Sequence, residues 1–351
     1  MNKIKVIIGG LLTTIQDFGR FAFQSYGVPV SGAMDTLAMQ LANYLTFNNR
    51  NEAVLEITLL GPTFEFQCDA IFAITGADLS ASLDGAIVQL YQTNFAKKGE
   101  VLSFGSIVKG ARAYLSFKGG FEISEVMGSK STYTKALIGG YEGRKLNTGD
   151  ELILSLRKPN FDNFEFRQIN SFQAKNYFDE NEIRVLEGPE ERSFKIDSIN
   201  DFYNEKFTIS NQCDRMGIRI DGKKIEHVAS PDIISSGVNL GTIQVAGNGS
   251  PIIMMADRQT TGGYTRIANV ISVDIPILAQ KKPGDIIHFQ KVKIEEAQEL
   301  YKLRESHLEN LFNDRLDLDF SNANNFSSNN KNFRLKINQE IFIVCVEEVL
   351  E

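Results

Sequence analysis

Hydrophobic and polar residues alternate in short runs along most of the chain. Many runs of four to seven residues are rich in β-branched and aromatic side chains, and glycine-containing turns separate them. This pattern is typical of a β-barrel or β-sandwich. The predicted strands are KIKVII, AVLEITL, TFEFQ, AIFAIT, IVQLYQ, VLSFG and RAYLSF, then IRVLEG, KFTIS, IRIDG, TIQVAG, PIIMMAD, VISVDI and IIHFQ.

Two stretches have a helical period instead. After Asp35, which is suited to cap a helix, apolar residues recur at i, i+3, i+4 and i+7. Residues 292–312 carry a second apolar stripe, which predicts another helix. The residues of the two stripes are Ala38, Leu41, Ala42 and Leu45, and Ala297, Leu300, Tyr301, Leu308 and Leu311.

The chain is predicted to fold as two successive β units. Residues 158–182 have no clear period and are rich in Asn, Asp and Gln, which indicates a linker. We therefore predict one β subdomain over residues 1–157 and another over residues 183–291. Residues 292–351 would contain the helix, an Asn/Ser-rich tether (SNANNFSSNNKN) and a terminal strand pair.

Composition favours a cytoplasmic protein. Hydrophobic residues make up 42% and charged residues 23% of the chain, as in ordinary globular proteins. The net charge of −7, with no basic cluster, argues against nucleic acid. The apolar runs are too short to span a membrane, and we interpret the N-terminus as a strand and turn. Three widely spaced cysteines favour reduced thiols.

Several kinds of catalytic motif are absent from the sequence. There is no Walker A motif, no strand-to-helix G-x-G-x-x-G and no G-x-S-x-G. The three histidines are isolated from one another, so no metal site is predicted. The chain therefore does not have the motifs of a self-sufficient ATPase or hydrolase.

The loop over residues 13–35 is the first candidate site. Gln16, Asp17 and Arg20 flank Gly19, and a second tight loop follows at VPVSGAMD. Arg20 is suited to bind a carboxylate. The alternative is that Asp17 and Arg20 pair with each other and only fix the loop.

Residues 211–222, NQCDRMGIRIDG, form the second candidate. Here Asp214 and Arg215 precede a turn at Met216 and Gly217. A turn fixed by an ion pair is the favoured interpretation, because the flanking strands require a turn in any case.

Residues 256–271, ADRQTTGGYTRIANVI, form the third candidate. Asp257 and Arg258 come directly after an apolar strand, and Gln259 is suited to bind an amide. We predict that the turn over residues 260–263 presents backbone N–H groups to an anion. The alternative is a simple hairpin with threonine caps.

Together these stretches resemble the biotin-dependent carboxyltransferase, or allophanate hydrolase subunit 2, family. That family includes the C subunit of 5-oxoprolinase, the carboxyltransferase region of urea carboxylase and the KipA-type antagonist of a histidine-kinase inhibitor. The resemblance runs from residue 13 to about residue 290. It is carried by TTIQDFGRFAFQSYGVPVSGAMD, LANYLTFNNRNEAVLEITLLGPTFEF, IRVLEGPEERSF, DRMGIRIDG, GVNLGTIQVAGNGSPIIMMADRQTTGGYTRIANVI and LAQKKPGDIIHF.

The resemblance implies a mainly β fold with two cyclophilin-like β-barrel subdomains and a few helices. It also implies partner chains, namely a family subunit 1 (the B subunit of 5-oxoprolinase, or KipI-like) and a LamB/YcsF-type protein as the A subunit. Asp257 and Arg258 would be catalytic. The residues implied to bind a small amide or lactam substrate are Gln16, Asp17, Arg20, Ser31, Asp35, Arg215, Gln244, Gln259, Thr260, Thr261, Gly262, Gly263 and Tyr264.

The implied reaction is the ATP-dependent opening of 5-oxo-L-proline to L-glutamate. ATP, with Mg, would act at the level of the complex. The sequence contains no biotinyl lysine turn, so we expect no covalent biotin on this chain. The alternatives are a carboxyltransferase component that accepts carboxyl from biotin on another chain, and a non-catalytic KipA-type antagonist.

Overall fold

The computed structural model describes residues 2–155, 166–169 and 177–313, together with the backbone of two strands over 330–337 and 340–347. The predicted fold class is confirmed, since strands dominate and helices are few. We call residues 2–155 the first unit and residues 182–291 the second unit.

The first unit contains eleven strands in two sheets. One sheet has the order β11-β1-β4-β9-β6-β7 and the other has the order β2-β3-β10-β5-β8. The strands are β1 Lys3–Ile8, β2 Leu12–Gln16, β3 Val54–Thr58, β4 Thr63–Phe66, β5 Ala70–Asp78, β6 Ser82–Leu83, β7 Ala86–Ile87, β8 Asn94–Ala96, β9 Val101–Ser103, β10 Lys109–Phe117 and β11 Glu151–Ile153.

One apolar core lies between these two sheets. Phe66, Phe72 and Phe117 are fully buried, and their ring centroids lie 5.8–6.4 Å apart. Aromatic rings at such distances add to the stability gained from burial. The first unit therefore has its own core.

The second unit is a closed seven-stranded barrel with the order β12-β19-β16-β17-β14-β13-β20, and a separate two-stranded ribbon, β15-β18. Its core contains a stacked pair of rings, Phe202 and Phe289, at 4.5 Å. The strands are β12 Glu182–Glu187, β13 Phe207–Cys213, β14 Gly217–Asp221, β15 Asp232–Gly237, β16 Thr242–Val245, β17 Pro251–Met254, β18 Thr261–Tyr264, β19 Arg266–Val270 and β20 Ile286–Lys291.

Four α-helices accompany the strands in the described residues: α1 Thr36–Leu45, α2 Ile196–Asn204, α3 Ile275–Ala279 and α4 Ile294–Phe312. Helix α1 begins as predicted, because Asp35 accepts a hydrogen bond from the Ala38 N–H at 2.9 Å. Helix α4 follows the second unit but packs on the first, where Leu308 and Leu311 join Leu41 and Leu45 in one buried cluster.

Three local predictions were wrong. Residues 87–92 are strand only at Ile87, because Tyr91 adopts φ 58° and its N–H binds the Ile74 carbonyl. The strand predicted over 270–275 ends at Val270, since the Asp274 carboxylate receives Arg184 and helix α3 begins. On helix α4, Tyr301 is 46% exposed and lies outside the buried stripe.

The terminal strand pair is confirmed as β21 Asn330–Ile337 and β22 Glu340–Glu347. Most of the predicted linker, at residues 158–165 and 170–176, lies outside the described residues. The same holds for residues 321–329 of the predicted tether. In the part of the chain that is described, no helix is long and apolar enough to cross a membrane.

Candidate functional site

The candidate site lies where the two units meet, and the loop after β2 forms its first wall. Gly19 and Gly32 adopt φ +96° and +85°. A Cβ on Gly19 would lie 2.5 Å from the Val30 carbonyl oxygen, and one on Gly32 would lie 2.7 Å from Phe18 backbone atoms. Glycine is required at both positions because two stretches of backbone touch there.

Asp17 fixes this loop to a second one. Its buried carboxylate accepts hydrogen bonds from the Gly19 N–H at 2.8 Å, the Ser129 hydroxyl at 2.6 Å and the Lys130 N–H at 2.7 Å. Its oxygens bind these groups, whereas the Arg20 guanidinium donates to a different residue. The alternative in which Asp17 and Arg20 neutralise each other directly is therefore wrong, and Arg20 is left for another partner.

Arg20 is fully buried and incompletely hydrogen-bonded. Its Nη2 donates to the Ser131 carbonyl, whereas Nε and Nη1 have no partner among the described residues. Burial lowers the pKa of its guanidinium, and the charges of Asp17 and Asp257 oppose that effect. A buried donor without a partner costs about 1–3 kcal/mol. Nε and Nη1 of Arg20 are therefore buried donors whose hydrogen-bonding capacity is unused among the described residues.

Two further polar atoms near Arg20 in sequence are buried without a partner in the described part of the chain. Gln16 uses its Nε2 to donate to Thr14 Oγ1 at 2.9 Å and to the Thr132 carbonyl at 3.2 Å, but its Oε1 receives nothing. Ser31 has φ 58°, in the left-handed region, and its hydroxyl is also unpaired. Strained backbone and unpaired polar atoms are most common at binding sites.

Arg215 joins the two units at the centre of the site. Its guanidinium donates to Asp257 at 3.0 and 3.1 Å, to the Gly32 carbonyl at 2.6 Å and to the Glu56 carboxylate. Burial opposes its charge, yet the attraction of Asp257 and Glu56 raises its pKa overall. The predicted ion pair of the second candidate stretch involves Asp257, whereas Asp214 instead accepts N–H bonds from Met216 and Gly217.

A line of hydrogen bonds continues from Glu56 to helix α1. Glu56 Oε2 accepts from the Tyr114 hydroxyl and from the Met34 N–H, both at 2.8 Å. The Tyr114 oxygen in turn accepts from the Asp35 N–H at 2.8 Å. Sequence reasoning missed Glu56 and Tyr114, although a glutamate inside the apolar strand VLEIT was a usable signal.

Asp35 lies on the same buried line and is not exposed to a ligand. Its carboxylate accepts from the Ala38 N–H, from Gln280 Nε2 at 2.7 Å and from the Tyr177 hydroxyl. Burial raises its pKa to about 6, although these three hydrogen bonds favour the charged form. Asp35 therefore joins the first unit to Gln280 and Tyr177, two residues that sequence reasoning missed.

Arg258 makes only backbone contacts in the described residues. Its Nε donates to the Val238 carbonyl at 3.0 Å and its Nη1 to the Met255 carbonyl at 3.3 Å, and it does not pair with Asp257. Burial lowers its pKa to about 10. Its proposed catalytic role stays a prediction, but the side chain supports the chain around β17.

The prediction of a turn over residues 260–263 was wrong. Thr261–Tyr264 form strand β18, which pairs with β15, and neither Gly262 nor Gly263 has a positive φ. The pairing was not predicted because the sequence of β15, DIISSG, is mostly polar and does not alternate between apolar and polar residues. A Cβ on Gly262 would lie 2.5 Å from Gln244 Nε2, so this glycine is needed for close packing.

Hydrogen bonds involve the remaining predicted residues of the second unit. Gln259 Nε2 donates to Gln244 Oε1 at 3.3 Å, and Gln244 Nε2 donates to the Tyr264 carbonyl at 3.3 Å. The Thr260 carbonyl accepts the Val238 N–H at 3.0 Å. Among the described residues no group of three or more His, Cys, Asp or Glu side chains could hold a metal ion.

The site thus has buried charges and unpaired donors at the junction of two β units. Arg215 binds Asp257 of the third candidate stretch and the Gly32 carbonyl of the first, so these stretches meet at its guanidinium. Buried charges and unpaired polar atoms at the junction of two units are features that binding sites often have.

Comparison with known proteins gives the same architecture. The family model "Carboxyltransferase domain, subdomain A and B" matches residues 26–291. The C subunit of the Escherichia coli 5-oxoprolinase is 39% identical over 308 residues, which are 88% of this chain and 97% of that protein. The C subunit of the Haemophilus influenzae 5-oxoprolinase is 36% identical over 85% of this chain and 94% of that protein.

Larger proteins contain the same fold. The Saccharomyces cerevisiae urea amidolyase is 33% identical over 85% of this chain, which corresponds to 17% of that protein. The crystal structure of the Kluyveromyces lactis urea carboxylase has a TM-score of 0.82 at 30% identity, covering 88% of this chain and 29% of that one. The chain belongs to the carboxyltransferase domain, subdomain A and B, family, together with the 5-oxoprolinase C subunits of E. coli and H. influenzae.

Proposed function

We propose that this chain is the C subunit of an ATP-dependent 5-oxoprolinase, which opens 5-oxo-L-proline to L-glutamate. Two relatives that bear the name of this subunit match over most of their length, which supports the assignment. In this proposal the chain works in the cytoplasm with a family subunit 1 (the B subunit of 5-oxoprolinase) and a LamB/YcsF-type protein as the A subunit.

The observation that carries the proposal is the buried guanidinium of Arg20 with unpaired Nε and Nη1 among the described residues. The substrate carries a carboxylate, and a charged acceptor best compensates the free-energy cost of burying a guanidinium. Gln16 Oε1 is an acceptor without a donor, and the lactam N–H is such a donor. The carboxylate and the N–H of 5-oxoproline therefore have counterparts in Arg20 and Gln16, at the end of β2 and in the loop that follows it.

The chemistry requires an activated lactam, because amide resonance makes its carbonyl carbon a poor electrophile. Transfer of the ATP γ-phosphoryl to the lactam oxygen releases ADP and creates a leaving group. A first water then adds to the carbon and the C–N bond breaks, so that the nitrogen leaves as the amine and an acyl phosphate remains. A second water attacks the acyl phosphate, phosphate leaves and the carboxylate of glutamate is formed. In this scheme Asp257, fixed by Arg215, orients a donor or accepts a proton at the substrate.

Carboxyl transfer is the second candidate. The structural likeness to a urea carboxylase and the family model itself favour it. The same site would then hold an amide that accepts carboxyl from biotin on another chain. Bicarbonate dependence and copurification with a biotinylated protein are its distinguishing observations.

The test is to reconstitute the chain with both proposed partners and to measure glutamate formed from 5-oxoproline and ATP. Arg20→Lys keeps the positive charge but removes the guanidinium N–H groups, so we expect kcat/KM to fall about 10- to 100-fold. Arg219→Lys, on the exposed face of β14, is the matched control and should retain activity. No glutamate from a folded complex with all partners would refute the proposal.

A further inference from the structure

The loop over residues 129–143 forms a wall of the site that sequence reasoning did not identify. Its backbone carbonyls at Ser131 and Thr132 accept the side chains of Arg20 and Gln16. Thr132 also binds the Ile15 carbonyl through its N–H and its hydroxyl, each at 2.9 Å. The chain is therefore held rigidly up to residue 132, directly beside the unpaired atoms.

Two glycines bring this loop back over Arg20. A Cβ on Gly139 would lie 2.7 Å from Arg20 Nη2 and 2.2 Å from the Ser131 carbonyl oxygen. A Cβ on Gly140 would lie 1.9 Å from Thr132 Oγ1. Both glycines adopt positive φ, so the loop closes tightly around the guanidinium.

Between these anchors lies a short hairpin over residues 133–138. Tyr133 and Ile138 exchange backbone hydrogen bonds at 2.8 and 3.2 Å. At its tip, Lys135 Nζ contacts Met216 Sδ and lies 3.8 Å from the Asp214 carboxylate in the second unit. The hairpin therefore spans the junction between the units, over the side where Asp257 and Arg215 lie.

Tyr133 is the residue of this hairpin with chemistry to offer. Its side chain is half-buried, and its hydroxyl has no hydrogen-bond partner among the described residues. Burial and the charge of Asp257 raise the pKa of the hydroxyl, so it keeps its proton and remains a donor at neutral pH. Tyr133 is the next residue after the two carbonyls that hold Arg20 and Gln16.

We propose that Tyr133 is a specificity-determining residue whose hydroxyl donates a hydrogen bond to an oxygen of the molecule held by Arg20. The identity of that molecule as 5-oxoproline rests on the function proposed above. A donor over the junction distinguishes a lactam with a carbonyl oxygen from a ligand that lacks such an acceptor.

The experiment measures ligand binding and turnover separately in the reconstituted complex. Equilibrium dialysis with 5-oxoproline gives its affinity, and glutamate release gives kcat and KM. L-proline has the same ring and carboxylate but no lactam carbonyl oxygen, so Tyr133→Phe should leave its affinity unchanged. Tyr133→Phe removes only the hydroxyl, and Tyr301→Phe on helix α4 is the matched control. We expect Tyr133→Phe to weaken binding of 5-oxoproline about three- to tenfold, with unchanged circular dichroism.

A spectroscopic signature separates a direct contact from a structural role. Ligand binding should perturb the ultraviolet difference spectrum of tyrosine in the wild type and in Tyr301→Phe, and this change should be reduced in Tyr133→Phe. Equal affinities for 5-oxoproline and equal difference spectra in wild type and Tyr133→Phe would overturn the assignment, as would failure of 5-oxoproline to bind the wild-type complex. Binding that depends on Tyr133 without glutamate formation would uphold Tyr133 and refute the proposed reaction.

Discussion

The buried carboxyl of Asp35 makes the stability of the protein depend on pH in an unusual direction. Burial raises its pKa from 3.8 to about 6. The folded state therefore binds this proton more tightly than the unfolded state does. The stabilisation that this group gives is fully present below about pH 3.8 and is lost as the pH rises through about 6.

The magnitude follows from these two pKa values. Keeping Asp35 charged at neutral pH costs about 3 kcal/mol of folding free energy. Between about pH 7.5 and about pH 5, protonation of Asp35 in the folded state returns about 1.4 kcal/mol of that cost. Other carboxylates titrate as well, so the quantity to measure is a difference between variants.

Asp35→Asn removes the titration and keeps an oxygen that can accept the Ala38 N–H, since asparagine is a good helix N-cap. We expect the unfolding free energy of the wild type minus that of the variant to be about 1.4 kcal/mol larger at about pH 5 than at about pH 7.5. Urea unfolding followed by circular dichroism at both pH values measures it.

Asp150→Asn is the control of opposite sign. Although burial opposes its charge, hydrogen bonds from Arg144 and the Asn147 N–H lower the pKa of Asp150 overall. Its contribution is present above about pH 4 and is lost only as the pH falls further. The wild-type minus variant difference should then be equal at the two pH values. A difference for Asp35→Asn that is also equal at both, or is larger at the higher pH, would refute the reasoning.

Three other changes test the packing and the site. Gly139→Ala forces a Cβ against the Ser131 carbonyl and Arg20 at a positive φ, so we expect 5-oxoproline binding in the complex to fall by about tenfold or more. Gly149→Ala is the control for backbone strain, because Gly149 also has a positive φ but has open space around it. Arg215→Met leaves Glu56 and Asp257 without their shared cation and should lower the unfolding free energy by about 3–5 kcal/mol in urea titrations at neutral pH; an unchanged value would contradict the role of the ion pairs. Leu308→Ala should cost about 2–4 kcal/mol because it opens a cavity between α4 and α1, whereas exposed Tyr301→Ala should change stability little, and equal effects would contradict the packing.

Sequence reasoning was most successful where one local cause decides the structure. The cap of α1 at Asp35 and most strands of both units follow from side-chain pattern and turn residues. The ribbon β15-β18 could not be predicted, because its strands are polar or glycine-rich and are stabilised by each other. Tyr91 likewise fits a strand pattern, but its hydroxyl interacts with Gly76 and its backbone turns.

The residues of the candidate site could be predicted from sequence only in part, for a similar reason. Gln16, Arg20 and Asp257 stand at strand ends rich in glycine, which is a local signal. Glu56 lies 159 residues from Arg215 in sequence, and only the packing of the two units brings them together. When a residue acts by binding another residue that is distant in sequence, the residues around it give little indication of that role.

The return of helix α4 to the first unit has a consequence for how the protein is made. Leu41 and Leu45 of α1 are covered by Leu308 and Leu311, which leave the ribosome far later in synthesis. The amino-terminal half therefore exposes an apolar surface on α1 until synthesis of the chain is nearly complete. Chaperones should accordingly bind arrested chains that stop before residue 308 more strongly than longer chains from which residue 312 has emerged.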